Sequence, residues 1–282
     1  MRLRIVTDST ADIPKALAEE LDISIVPLKV HFDEQSYLDN VDLLPADFYE
    51  KLTNAEKLPT TSQPSPVDFT DLYERLAEEG EVEIISIHLS GSLSGTYQTA
   101  TLAAGMVEDK VKVHVVDSKS ASYVLGAIVV AVARAARDGK TGDECLAIGQ
   151  KIMENQRVFF VVDTLTYLQK GGRIGKASAI VGSLLNVKPI LTLDGNGVVA
   201  PVEKVRGKKK AVGHILERCK ELAGDEQVAA AVLYSTDEEE ARTLMEQVKR
   251  ELNTTELILT QIGPVIGTYG GPGLLAITFY KV

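Results

Sequence analysis

Hydroxyl and carboxylate side chains crowd three short segments of this chain: Thr7-Asp8-Ser9-Thr10-Ala11-Asp12, Ser90-Gly91-Ser92-Leu93-Ser94-Gly95-Thr96 and Asp117-Ser118-Lys119-Ser120. A fourth hydroxyl group, Thr60-Thr61-Ser62, lies in a stretch rich in Pro, Ser and Thr. Hydroxyls beside backbone N–H groups can hold a carboxylate, which accepts several charge-assisted hydrogen bonds. Ser94-Gly95-Thr96 also opens an expected helix, whose first N–H groups and dipole favour negative charge. For the Asp8 and Asp117 loops helix capping competes with a ligand role. It does not call for three serines and two glycines in the Ser90–Thr96 loop. The Thr60–Ser62 hydroxyls are free to converge with Ser94.

Other chemistries find little support. The stretch Gly171-Gly172-Arg173-Ile174-Gly175-Lys176-Ala177 fails the phosphate-loop pattern GxxxxGK[ST] in register and in its last residue. No GxGxxG follows a strand, and there is no GxSxG elbow. The histidines, His31, His88, His114 and His214, lack ligand spacing, so no metal is expected. His88 stands near Ser90, but alternation within 82–89 makes it a strand residue. Without an acid/base pair, a strong nucleophile or a metal, no catalytic residue is assigned, and the residues favour binding over catalysis. An apolar cleft with one polar end is the usual small-molecule site. Each buried methylene of an acyl ligand would contribute about 0.8 kcal/mol there.

Three later segments could face such a cleft. One is Leu165-Thr166-Tyr167-Leu168-Gln169-Lys170-Gly171-Gly172-Arg173, where the glycines stop a helix and free Arg173 to point at a junction. The second is the basic run Lys204-Val205-Arg206-Gly207-Lys208-Lys209-Lys210. The third, 263–273, holds five glycines in eleven residues, which suggests close approach to a ligand or another backbone.

These segments sit on a recognisable alternation. Strands are expected at 2–7, 23–32, 82–89 and 111–116. Helices are expected from Pro14, with Asp12 as cap, to 21, then 45–52, 65–79, 96–106 and 118–137, with a loop over 57–66. Strand, loop and helix in repetition predict parallel βαβ units. Beyond Asn155 the pattern changes. Strands are expected at 158–162, 189–193, 198–204, 228–234, 257–261 and 274–280. Helices are expected at 165–169, 177–185, 208–222 and 238–252. Asp194-Gly195-Asn196-Gly197 reads as a hairpin turn. The fold class is therefore α/β: an N-terminal domain, 1–155, with a parallel sheet flanked by helices, and a C-terminal α+β domain, 156–282, with a mixed sheet. No Pro/Gly-rich linker separates them, so the halves should pack closely.

Composition bounds the rest. The chain has 282 residues, 45% of them hydrophobic, and a net charge of −10. An acidic chain repels nucleic acid and anionic membrane. With no Trp and 5% aromatics it offers no base-stacking platform. The longest apolar run, Val124–Ala133, is short of the ~20 residues that span a membrane. The start has no signal-peptide pattern. Cys145 and Cys219 read as reduced thiols, so the cytoplasm is the expected compartment. The charge is uneven: 164–210 holds nine basic and two acidic residues, a local +7 that could receive an acidic or phosphate-bearing partner.

At these loops the sequence resembles the DegV family of bacterial lipid-binding proteins. The matching segments are Thr7–Asp12, Thr60-Thr61-Ser62-Gln63-Pro64-Ser65, Leu93-Ser94-Gly95-Thr96-Tyr97-Gln98, Val116-Asp117-Ser118, Tyr167–Arg173 and Gly271-Pro272-Gly273. They run in order through the whole chain. The resemblance implies two α/β domains with a long-chain fatty acid at their junction. It implies a carboxylate held by Thr61 and Ser94, with Ser62, Gly95, Arg173, Arg206, Thr268 and Tyr269 as secondary positions. It further implies a monomer without chemistry or cofactor of its own, which presents the acid to a separate fatty acid kinase for phospholipid synthesis. Two positions depart from the family pattern: Gly91 replaces a second serine, and Tyr269 stands where His is usual. Two other classes of function stay open. One is an enzyme acting on a small phosphorylated or carboxylated metabolite; the other is a regulatory module using the basic run.

Overall fold

The computed structural model describes residues 2–183 and 187–282. The first half contains β1 (Arg2–Asp8), α1 (Lys15–Glu20), β2 (Ile23–Val26), β3 (Lys29–Phe32), β4 (Gln35–Leu38), α2 (Pro45–Asn54), β5 (Thr60–Ser62) and α3 (Pro66–Ala77). It continues with β6 (Val82–His88), α4 (Thr96–Met106), β7 (Lys112–Asp117), α5 (Tyr123–Arg137) and α6 (Gly142–Asn155). The second half contains β8 (Arg157–Val161), α7 (Thr166–Lys170), β9 (Lys188–Leu193), β10 (Val199–Val205) and α8 (Lys208–Ala223). It ends with β11 (Val228–Tyr234), α9 (Glu238–Glu251), β12 (Thr254–Gln261), α10 (Pro264–Gly270) and β13 (Leu275–Lys281).

Four parallel strands, ordered β2-β1-β6-β7, form the first sheet. Its central strand β6 is buried throughout, as a parallel strand covered on both faces must be. Ile5, Ile85 and Ile87 pack under α5 and α6; Val6 and Ile84 pack under α3 and α4. The second sheet, β10-β9-β8-β13-β11-β12, is mixed: β11 and β12 are parallel, and the other pairs antiparallel. Residues of α8 and α9 cover one of its faces. The fold class thus agrees with the sequence reading, as does the hairpin at 194–197.

Several local expectations change. The single strand expected at 23–32 is two, divided at Pro27, which has no N–H to donate. Beyond the break Leu28 donates to Ser9 Oγ, and β3 joins a separate small sheet, β4-β3-β5. Residues 60–62, expected as loop, form its edge strand β5. Asp12 does not cap α1, which begins after Pro14. Its carboxylate instead accepts hydrogen bonds from Ser122 Oγ and Gly263 N, tying the two halves together.

The helix expected from Ser118 begins at Tyr123. Asp117, Ser118 and Ser120 spend their side chains on local backbone groups, and Lys119 and Ser122 adopt left-handed φ of 52° and 55°. The helix expected at 177–185 is a 3-10 helix over Gly175–Ser183, and Leu184 and Leu185 lie outside the described residues. Strand β4 and helices α6 and α10 carry no counterpart in the sequence reading. Ser65 caps α3 in a reciprocal capping box with Asp68, as expected.

Candidate functional site

Of the hydroxyl-rich loops at the carboxyl edge of the parallel sheet, the one over Ser90–Thr96 reaches a cavity shared with the second sheet, through Leu93 and Ser94; Thr7–Asp12 and Asp117–Ser120 do not line it. The cavity has about 870 Å³ of space between atoms, open solvent at its mouth included. One wall comes from Leu28, Leu89, Leu93 and the start of α5. The other comes from Phe160, Leu193, Val199, Leu233 and Ala276 of the mixed sheet, with Ile262, Val265 and Ile266 around the start of α10. The lining is almost wholly aliphatic or aromatic. Its polar members are Ser122 and a group of four, Thr61, Ser94, Arg173 and Tyr269.

Each of those four is placed by its neighbours. Thr61 lies on β5, and its Oγ1 stands 2.5 Å from the hydroxyl of Tyr269 at the end of α10. Ser94 precedes α4; its Oγ is 2.9 Å from Thr96 Oγ1 and accepts a hydrogen bond from Thr96 N. Arg173 follows α7. It donates to the Leu93 and Gly171 carbonyls, and its guanidinium sits 4.9 Å from the centre of the Tyr269 ring. No carboxylate pairs with it among the described residues. A cation, two aliphatic hydroxyls and a phenol therefore share one lining of a cavity that is apolar elsewhere except at Ser122.

The remaining expected positions are elsewhere. Ser62 Oγ bonds His31 Nε2, Gly95 is packed against the Gln63 side chain, and Thr268 donates to the Pro264 carbonyl. Arg206 is exposed in the turn before α8. Within 164–210, Lys176 pairs with Asp194, Lys188 with Asp163 and Lys208 with Glu240, so the local excess is smaller than +7 suggests. Segment 263–273 makes the close approach expected of it, and Gly171, read as a helix stop, makes one as well. A Cβ on Gly171 would collide with the Tyr269 ring, and one on Gly271 with the Tyr167 ring. Asp8 and His88 are fully buried, and their network with Ser86 and Tyr73 does not line this cavity.

Sequence reasoning missed Asp39, which with Asp12 holds the start of α10. Asp39 Oδ1 accepts a hydrogen bond from Val265 N, as Asp12 Oδ1 does from Gly263 N. Burial pushes the Asp39 carboxyl up to about 7, and raises Asp12 despite its hydrogen bonds. A carboxyl raised in the folded state stabilises most below its unfolded value and loses that contribution as pH climbs through the raised one. Unfolding free energy is therefore expected to fall between roughly pH 4 and 7, by on the order of 4 kcal/mol from Asp39. Denaturant titrations across that range should show the slope, and Asp39→Asn should remove this share of it.

Among the described residues no helix is long and apolar enough to cross a membrane, and no group of three His, Cys, Asp or Glu is placed to hold a metal. Cys145 and Cys219 are buried free thiols.

Residues 2–282 match the family model described as "Uncharacterised protein, DegV family". Protein DegV of Bacillus subtilis is 38% identical over 279 residues, 98% of each chain. The structure of a fatty-acid-binding DegV family protein from Thermus thermophilus superposes with a TM-score of 0.94 at 37% identity, covering both chains completely. A stearic acid-binding protein from Eubacterium ventriosum gives a TM-score of 0.92 at 29% identity, over all of this chain and 98% of the other. Motifs, topology and full-length similarity agree, and the chain belongs to the DegV family.

Proposed function

We propose that this protein binds a long-chain fatty acid, with the alkyl chain in the apolar cavity and the carboxylate held by Thr61 and Ser94. The observation that carries this reading is the single polar end of the cavity, where Arg173 stands without an acidic partner among the described residues. A carboxylate there would meet hydroxyl donors, the Arg173 guanidinium and the opening N–H groups of α4. The related proteins from Thermus thermophilus and Eubacterium ventriosum, described as binding fatty acid and stearic acid, support it.

On this reading residues 1–155 and 156–282 are two domains that wall the site at their junction. The protein acts as a monomeric cytoplasmic carrier without chemistry or cofactor of its own. It presents the acid to a separate fatty acid kinase that forms the acyl phosphate. Arg206 and the exposed lysines of the basic run would face that partner. Tyr269, in place of the family's His, can donate a hydrogen bond to the carboxylate but cannot become a cation near neutral pH.

Mass spectrometry of an organic extract of the purified protein tests the binding. A long-chain acid in near-equimolar amount is expected. No co-purifying acid, together with no uptake of added palmitate or oleate, would refute it.

A further inference from the structure

Beyond the main cavity a smaller one, with about 310 Å³ of space between atoms, continues along the same face of the mixed sheet. The strand register shows the continuity. Leu233 of β11 pairs with Ala276 of β13, and both line the main cavity. The next pairs on that face, Ala231 with Thr278 and Ala229 with Tyr280, line the smaller one. Successive pairs on one face are about 7 Å apart along a strand. Helix α5 roofs both spaces, with Val124 over the first and Tyr123, Ala127 and Val130 over the second. Alanines on β11 leave this second stretch shallowly filled. Its far end is polar: Glu256, held by two hydrogen bonds from Arg134 at 2.8 and 2.6 Å, and Tyr280.

Tyr123 is the large side chain at this step. It is 3% exposed and belongs to the same apolar cluster as Ala231, Leu233 and Ala276. Its ring lies back over Gly126, where a Cβ would approach to 2.8 Å. The geometry points to Tyr123 as the residue that limits acyl-chain length: a chain ending before its ring is accommodated, and a longer one must displace the ring to enter the alanine-floored extension. This rests on the fatty-acid reading above and adds to it the residue that sets chain length.

The test uses delipidated full-length protein and saturated acids from myristate to behenate, each displacing a fluorescent fatty acid. Affinity of the unaltered chain should rise about fourfold per added methylene up to a limiting length, then stop rising. Tyr123→Leu should move that limit to longer acids, with two further methylenes adding about 15-fold, and leave shorter acids unaffected. Adding Ala231→Leu to that variant should restore the original limit.

An unmoved limit in a Tyr123→Leu protein that still binds palmitate would overturn the inference and leave the fatty-acid reading standing. Ala231→Leu alone tests it independently of how Tyr123→Leu folds. It should change no affinity, and a loss confined to the longest acids would mean that the chain already occupies the extension. Failure of the unaltered protein to bind any acid would overturn the underlying reading itself.

Discussion

Alanine at both Thr61 and Ser94 is expected to weaken retention of a long-chain acid by roughly 3–6 kcal/mol, two to four orders of magnitude. Each hydroxyl is assigned one hydrogen bond to an ionised carboxylate, and such bonds contribute about 1.5–3 kcal/mol apiece. The singles should differ. In Thr61→Ala the Tyr269 hydroxyl loses its partner 2.5 Å away and becomes free to donate to the ligand, offsetting part of the loss. Ser94→Ala has no such substitute and also removes the acceptor for Thr96 N. Displacement titrations on the three variants, with thermal melts as folding controls, measure this. A folded double variant with unchanged affinity would sink the assignment.

Asp8→Ala should cost about 3–5 kcal/mol of folding stability. Asp8 is fully buried at the end of β1, and its carboxylate accepts from Thr10 N, Thr10 Oγ1, Leu89 N and His88 Nδ1. Removal leaves two buried backbone N–H groups and one imidazole nitrogen without partners, and their desolvation is then uncompensated. The damage should spread along the chain of contacts from His88 to Ser86 and Tyr73. Because Leu89 N and the Ser90–Thr96 loop follow directly, ligand affinity should fall as well. Chemical denaturation compared with Asp8→Asn, which keeps an acceptor oxygen, separates lost hydrogen bonding from lost charge. An Asp8→Ala midpoint within error of the parent would contradict this account.

The elements with strong local signals were legible from the sequence. Val82–His88 carries four β-branched apolar residues in seven, Ser65-Pro66 with Asp68 is a complete capping signal, and Asp194–Gly197 announces its hairpin. What escaped was decided by contacts distant in sequence. Thr60–Ser62 becomes a strand because β3 offers it an edge, and the apolar run 23–32 is divided between two sheets at a proline. Asp12 reads as a helix cap until Gly263, 251 residues away, supplies the N–H that it serves.

The polar end of the site was legible because hydroxyls gathered into motifs; Thr61, Ser94, Arg173 and Tyr269 do line one cavity. The apolar walls were not, since Phe160 or Leu233 resembles any other core residue. The run of three alanines at 229–231 was a hint that the sheet face had been left open.

The reciprocal seating of Tyr269 on Gly171 and Tyr167 on Gly271 has an evolutionary consequence. Two stretches a hundred residues apart share one steric lock, so neither can drift alone. A side chain at Gly171 becomes tolerable only after position 269 has shrunk, and the change at 269 simultaneously dismantles the hydroxyl beside Thr61. The mutational path to a new residue at 171 therefore runs through an altered contact at Thr61. Segment 167–173 and segment 267–273 are thereby constrained to be inherited as one epistatic unit.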